Sequence, residues 1–234
     1  MSDKRNIQTI APLLADDFVD LEEPIFHADE YSNILNQNSA RLGLFKKYLT
    51  CKLHDSWVIE LTQDLDSLKI KLNDFSTHVF ADAIIERKKI NIPHDKLVFP
   101  LTIELKGKLE FTYNTVDDNG FLREIGIIDV DEYLYEQVFK IENDKIEIAF
   151  QFWKSALKRE RSGKNIILVV SAKELIITEN QDYAWNEIFG NEYDGYYKYF
   201  KEQFDSERYV SDYPECLKLV DEYEQYQKKQ KIKC

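Results

Sequence analysis

VFPLTIELKGKLEFTYNTV, residues 98–116, is the stretch on which the fold reading turns. Leu101, Ile103 and Leu105 alternate with Thr102 and Glu104; after Lys106-Gly107, Leu109, Phe111 and Tyr113 alternate again. A period of two marks a strand with one buried face. A glycine between two such runs predicts a reversal, so a β-hairpin turning at Lys106-Gly107 is expected here.

The same period recurs on both sides. WVIEL (57–61) and LKIKL (68–72) predict a hairpin with a longer loop. Asp117-Asp118-Asn119-Gly120 is a strong turn, and FLREIGIIDV (121–130) follows it as a further strand. YLYEQVFKI and KIEIAFQFW flank Glu142-Asn143-Asp144 as a third hairpin. NIILVVSA (165–172) is a continuous β-branched run, which belongs in the middle of a sheet.

Helical spacing brackets this β-rich body. SNILNQNSARLGLFKKYLT (32–50) carries an approximate apolar stripe through Leu35, Leu42, Leu44, Phe45 and Leu49. STHVFADAIIERKKI (76–90) reads as a short helix capped by Ser76 or Thr77 and ended by Pro93. After Thr178 three more helices are expected, the first closing at Gly190 and the last opening on an Asp212…Glu215 capping pattern with Pro214 in its first turn. The basic end of the chain, KKQKIKC, is expected to fray.

The expected fold class is therefore α+β, a mostly antiparallel sheet or barrel-like core of about seven strands, with an N-terminal helix and a C-terminal helical segment. The expected organisation is an acidic arm over 1–30, a helix plus β-rich core over 31–178, and acidic, aromatic helices over 179–234 packed on that core as one structural unit.

Composition bounds the function. A net charge of −12 over 234 residues argues against nucleic acid and anionic membrane as partners. Cys51, Cys216 and Cys234 form no metal or disulfide pattern. The N-terminus lacks the continuous apolar stretch of a secretory signal, so a cytoplasmic protein is expected. The 7 glycines include no GxGxxG or GxxxxGK[ST] spacing, and GxSxG is absent. No catalytic residue, cofactor or metal is assigned on these grounds.

The histidines offer one alternative. His54-Asp55 and His94-Asp95 are His-Asp dipeptides, a pairing that serves metal ligation or imidazole orientation. A metal-dependent hydrolase using both pairs, or a small-ligand-binding β domain, are the alternative readings. Basic runs at Arg87-Lys88-Lys89 and between Lys154 and Lys164 are expected to be solvated or to pair with acids elsewhere.

The region 179–224 is the most informative. It holds 13 Asp and Glu against 4 Lys and Arg, a local balance of −9, with tyrosines and a tryptophan interleaved. Tyr and Trp give rigid contact area with polar tips, and carboxylates around them speed association with a basic protein. The expected partner surface comprises Tyr183, Trp185, Asp194, Tyr196, Tyr199, Glu202, Asp205 and Tyr209. In the alternative reading the aromatic stripe packs these helices onto the sheet while the acids face water.

Leu53-His54-Asp55-Ser56-Trp57 followed by Leu68-Lys69-Ile70-Lys71-Leu72 resembles a pattern that opens a hairpin in uncharacterised bacterial families, some of them similar to immunity proteins of polymorphic toxin systems. NIILVVSAKELIITENQDYAWNEIFG is similar to their closing segment. The resemblance implies an α+β, non-enzymatic protein that neutralises a basic toxin or effector, and it brings no catalytic residues.

Overall fold

In the computed structural model the alternating runs form nine strands: β1 (Ser56–Gln63), β2 (Ser67–Asn73), β3 (Pro100–Lys106), β4 (Glu110–Val116), β5 (Leu122–Ile125), β6 (Glu132–Glu142), β7 (Lys145–Lys154), β8 (Lys164–Ala172) and β9 (Glu174–Glu179). The structure describes residues 5–11, 28–49, 52–142, 144–156, 163–179, 181–190, 193–205, 210 and 212–232. The acidic arm, the basic connection 157–162, Cys51, Cys234 and Tyr209 therefore lie wholly or largely outside the described residues. The class is α+β with an antiparallel sheet in the order β5-β4-β8-β7-β6-β1-β2-β3-β9.

The hairpin expected at Lys106-Gly107 is corrected. β3 neighbours β2 and β9, whereas β4 neighbours β5 and β8, so the two halves of 98–116 do not pair with each other. Gly107 has φ +102 and donates its N–H to Asp66 O at 3.0 Å. A Cβ on Gly107 would stand 2.7 Å from the Lys173 Cβ, so the glycine is required by both its dihedral and the close crossing. It bends a long strand; it does not reverse it.

That bend has a geometric consequence. β4 is second and β3 eighth in the strand order. Six strand spacings would put them about 29 Å apart on a flat sheet. Residues 107–109 alone join them, and such a link reaches about 14 Å when extended. β8 and β9 are likewise joined by Lys173 alone, whose N–H donates to Lys106 O at 2.9 Å. The sheet must coil until its two arms meet, with β3–β4 and β8–β9 as two long bent strands.

Register fixes the faces. Glu136–Phe150–Leu168–Tyr113 and Val138–Ile148–Val170–Phe111 are cross-strand rows on the inner face. Phe150 and Phe152 are fully buried there, each stabilising the fold by about 2–3 kcal/mol relative to exposure. On the outer face, Ala149, Ile167 and Val169 pack against Ile7 of the short helix α1 (Ile7–Ile10) and Ala11 just after it. The Asp117–Gly120 turn is as expected: Gly120 has φ +78, and the Asp117 carboxylate accepts from Asn119 N and Phe121 N at 3.0 Å. The Phe121 amide, then Arg123, hold that carboxyl below its ordinary value.

The helix expected over 32–50 is broken. α2 (Ala28–Gln37) and α3 (Ser39–Leu42) are separated at Asn38, and Gly43, with φ +53, diverts the chain into a 3₁₀ turn over Gly43–Tyr48. On α2, the Tyr31 hydroxyl accepts a hydrogen bond from Val138 N of β6 at 3.1 Å. α4 (Phe75–Lys88) is capped by Asp74, which takes Thr77 N and the Thr77 hydroxyl; it is not capped by Ser76 or Thr77. α5 (Gln181–Phe189) ends at Gly190, φ +70, and α6 (Asp194–Asp205) follows. α7 (Tyr213–Ile232) is capped by Asp212 and runs helical through Lys231, where fraying was expected.

The chain divides into one unit of residues 1–71 with 102–178 and a second of 72–101 with 179–234. α4, embedded between two strands in sequence, thus belongs with α5, α6 and α7.

Candidate functional site

The C-terminal helices are held by rings. Phe80 of α4 stacks on Phe200 of α6 at 4.5 Å and on Trp185 of α5 at 6.3 Å, both nearly parallel. Trp185 also meets Phe99, Phe189 and Tyr197, and its indole N–H donates to Tyr193 O at 2.9 Å. It is 2% exposed, and Tyr196 is 6% exposed. These two members of the expected partner surface are interior, because Tyr196, Tyr197, Phe200 and Phe204 recur at helical spacing and the apolar stripe turns inward as a set. Asp194 and Tyr199 are half-buried and Glu202 is exposed. Tyr183 and Asp205 lie on α5 and α6, but their side chains, like Tyr209, are outside the described residues.

Much of the negative charge is answered within the unit. Arg87 reaches Asp221 at 2.9 Å and Lys88 reaches Glu224 at 3.0 Å, so these two members of the 87–89 run pair with acids of α7, as the second of its two readings anticipated. The Tyr196 hydroxyl donates to Glu224 at 3.1 Å. Burial would raise the Glu224 carboxyl, but Lys88 and Tyr196 bring it below its ordinary value. Tyr213 donates a hydrogen bond to Glu86.

Deeper in, Lys201 of α6 is fully enclosed and sits 3.3 Å from Asp74. Burial opposes its charge; the carboxylates of Asp74 and Glu179, with the Tyr197 hydroxyl, more than restore it and push its pKa up. Its ammonium also lies 5.0 Å from the Phe204 ring centroid. The pair ties the cap of α4 to the middle of α6.

What remains outward on these helices is narrower than the sequence suggested. Tyr199 stacks on Tyr226 at 6.4 Å, and Tyr226 is 52% exposed. Glu202 lies one turn from Tyr199, and Glu222 one turn from Tyr226. The place of Tyr226 beside Tyr199 requires the α6–α7 packing.

The two His-Asp pairs belong to different units. His54 Nδ1 is 2.8 Å from Asp55 Oδ1, and the His54 ring lies 4.6 Å from that of Tyr135. Asp55 adopts φ +63, the left-handed region. His94 and Asp95 fall in a one-turn 3₁₀ helix of the other unit, with the His94 side chain outside the described residues. Among the described residues, no group of three His, Cys, Asp or Glu is arranged to hold a metal ion. Burial and the neighbouring Asp55 raise the pKa of Glu132 on β6. A groove of about 540 Å³ lined by Arg5, Thr112, Phe139, Glu147 and Val169 opens on the outer face of the sheet.

No protein-family model matches this chain, and neither a curated protein nor a solved structure matches it. The class that can be stated is an α+β protein with a nine-stranded antiparallel sheet. Among the described residues, no helix is long and apolar enough to cross a membrane.

Proposed function

We propose that this chain is a non-enzymatic protein-binding protein that takes a basic partner, such as a toxin, in the manner of an immunity protein, on the outward seam of α6 and α7. The observation that carries the reading is the Tyr199–Tyr226 stack, with Tyr226 half in solvent and Glu202 and Glu222 one turn away. Exposed, paired tyrosines present contact area without loss of rotamer freedom on binding, and flanking carboxylates steer a cationic surface. The reading differs from the sequence expectation in relying on Tyr226 and dispensing with Trp185 and Tyr196.

The test is photo-crosslinking from a benzoylphenylalanine at Gln225 in the cell of origin. A discrete adduct that forms at low ionic strength and is lost in Tyr199→Ser/Tyr226→Ser supports the proposal. An adduct of equal yield in the double variant, or none at all, rejects it.

A further inference from the structure

The outer face of the sheet carries a row of side chains that the helical seam does not use. Trp57 on β1, Glu132 on β6 and Trp153 on β7 are successive cross-strand partners. Directly opposed residues of an antiparallel ladder share a face. The two indoles therefore flank one carboxylate and arise from strands two spacings apart, about 10 Å. The neighbouring pair, Ser56 and Tyr133, is fully buried, which places Trp57 and Glu132 on the opposite face, and Trp57 is 43% exposed. Trp153 is fixed in place by Gly163, where any Cβ would run into its indole.

The carboxylate in this row is under electrostatic load. Asp55 lies within hydrogen-bonding reach of Glu132, and the Asp55 backbone is held in the left-handed region. Asp55 is itself 2.8 Å from His54 Nδ1, and the imidazole partly opposes what Asp55 and Asp131 do to Glu132, so a cation over Glu132 relieves the remaining repulsion. Burial first, and then the Asp55 carboxylate, raise the pKa of Glu132, so at lower pH a proton neutralises it and competes with a cation. Indole faces attract cations through their quadrupole, and a guanidinium is flat, weakly hydrated and forked to match a carboxylate. A plane between two indoles about 10 Å apart suits such a group better than a compact ammonium.

We propose that Trp57, Glu132 and Trp153 form a slot for an arginine side chain of a partner protein, with the guanidinium over Glu132 and between the two indoles. The slot lies wholly in the sheet-bearing unit and stands whether or not the helical seam binds anything.

The chain has 3 tryptophans, so a ¹⁵N-tryptophan spectrum holds one indole signal for each. Trp185, whose indole N–H is bonded to Tyr193 O, is the internal control. Trp57→Phe and Trp153→Phe assign the other two signals. The probe is acetyl-Gly-Arg-Gly-amide, compared with its citrulline twin, which keeps the shape and loses the charge, and with cellobiose. Saturable shifts of the Trp57 and Trp153 signals by the arginine peptide are expected at millimolar concentration, with Trp185 unmoved. The citrulline peptide should bind about tenfold more weakly, and Glu132→Gln should weaken the arginine peptide by a similar factor while leaving the Trp185 signal in place. Binding should tighten as pH rises through the titration of Glu132, because the cation replaces a proton. Equal response to citrulline, the same shifts with cellobiose, or two unmoved indoles overturns the proposal.

Discussion

Lys201 lies on the same stripe as Tyr197, Phe200 and Phe204, and the sequence marks it as one of the few cations offsetting an acidic surface. In the fold it is enclosed with Asp74 at 3.3 Å, among aromatic rings. An ammonium removed from water is tolerated there because a carboxylate and ring faces replace its hydration. Removing one partner leaves the other charge buried. Lys201→Met should therefore destabilise the protein by about 3–5 kcal/mol in urea unfolding. Asp74→Asn/Lys201→Met should recover most of that loss, and a single variant within 1 kcal/mol of the parent would refute the account. The cap of one helix and a cation of another thus become one interaction only through α4 and α6 packing together.

Among elements, 98–116 shows how far periodicity reaches. Both halves are strands, with Leu101, Ile103 and Leu105 buried as alternation expects, since each side chain is committed to one face by the pleat; on β4 Tyr113 is buried, Phe111 is half-buried and Leu109 lies before the strand. What alternation does not encode is the neighbour. A glycine between two strands serves a hairpin or a bend equally well, and here the partners β2, β9, β5 and β8 decide for the bend. Gly107→Ala should cost about 1–3 kcal/mol, from the positive φ and the crowding against Lys173. Amide exchange gives the specific check: Lys173 N–H, bonded to Lys106 O, should lose protection in Gly107→Ala, while Asn119 and Phe121 at the next turn keep theirs. Unchanged protection at Lys173 would show that the bend does not depend on the glycine. The Asp117–Gly120 hairpin, by contrast, was legible because its hydrogen bonds are made within five residues.

For the whole molecule, the division into two units groups α4 with helices more than 90 residues away in sequence, not with the strands that flank it. Units that pack internally open as cooperative blocks. Native-state hydrogen exchange should therefore place the α4 amides in the same protection class as those of α6 and the first half of α7, and separate from β6, β7 and β8. Exchange of α4 together with the β strands would contradict the division. The same long-range grouping limits what could be read of the binding surface. Acid and tyrosine content over 179–224 is a property of the chain, and so is the helical spacing that made an inward stripe one of its two possible readings. Which rings face water depends on where Phe80 and Phe99 arrive to meet them, and which acids stay unpaired depends on where Arg87 and Lys88 arrive. The sequence by itself determined the α+β class, most of the strand and helix segments, the Asp117–Gly120 turn and the charge, because those rest on propensity, period and contacts a few residues apart. The tertiary structure alone decided strand order, the bend at Gly107, the burial of Trp185 and Lys201, and the Trp57–Glu132–Trp153 row, because each is a pairing between segments that no local rule brings together.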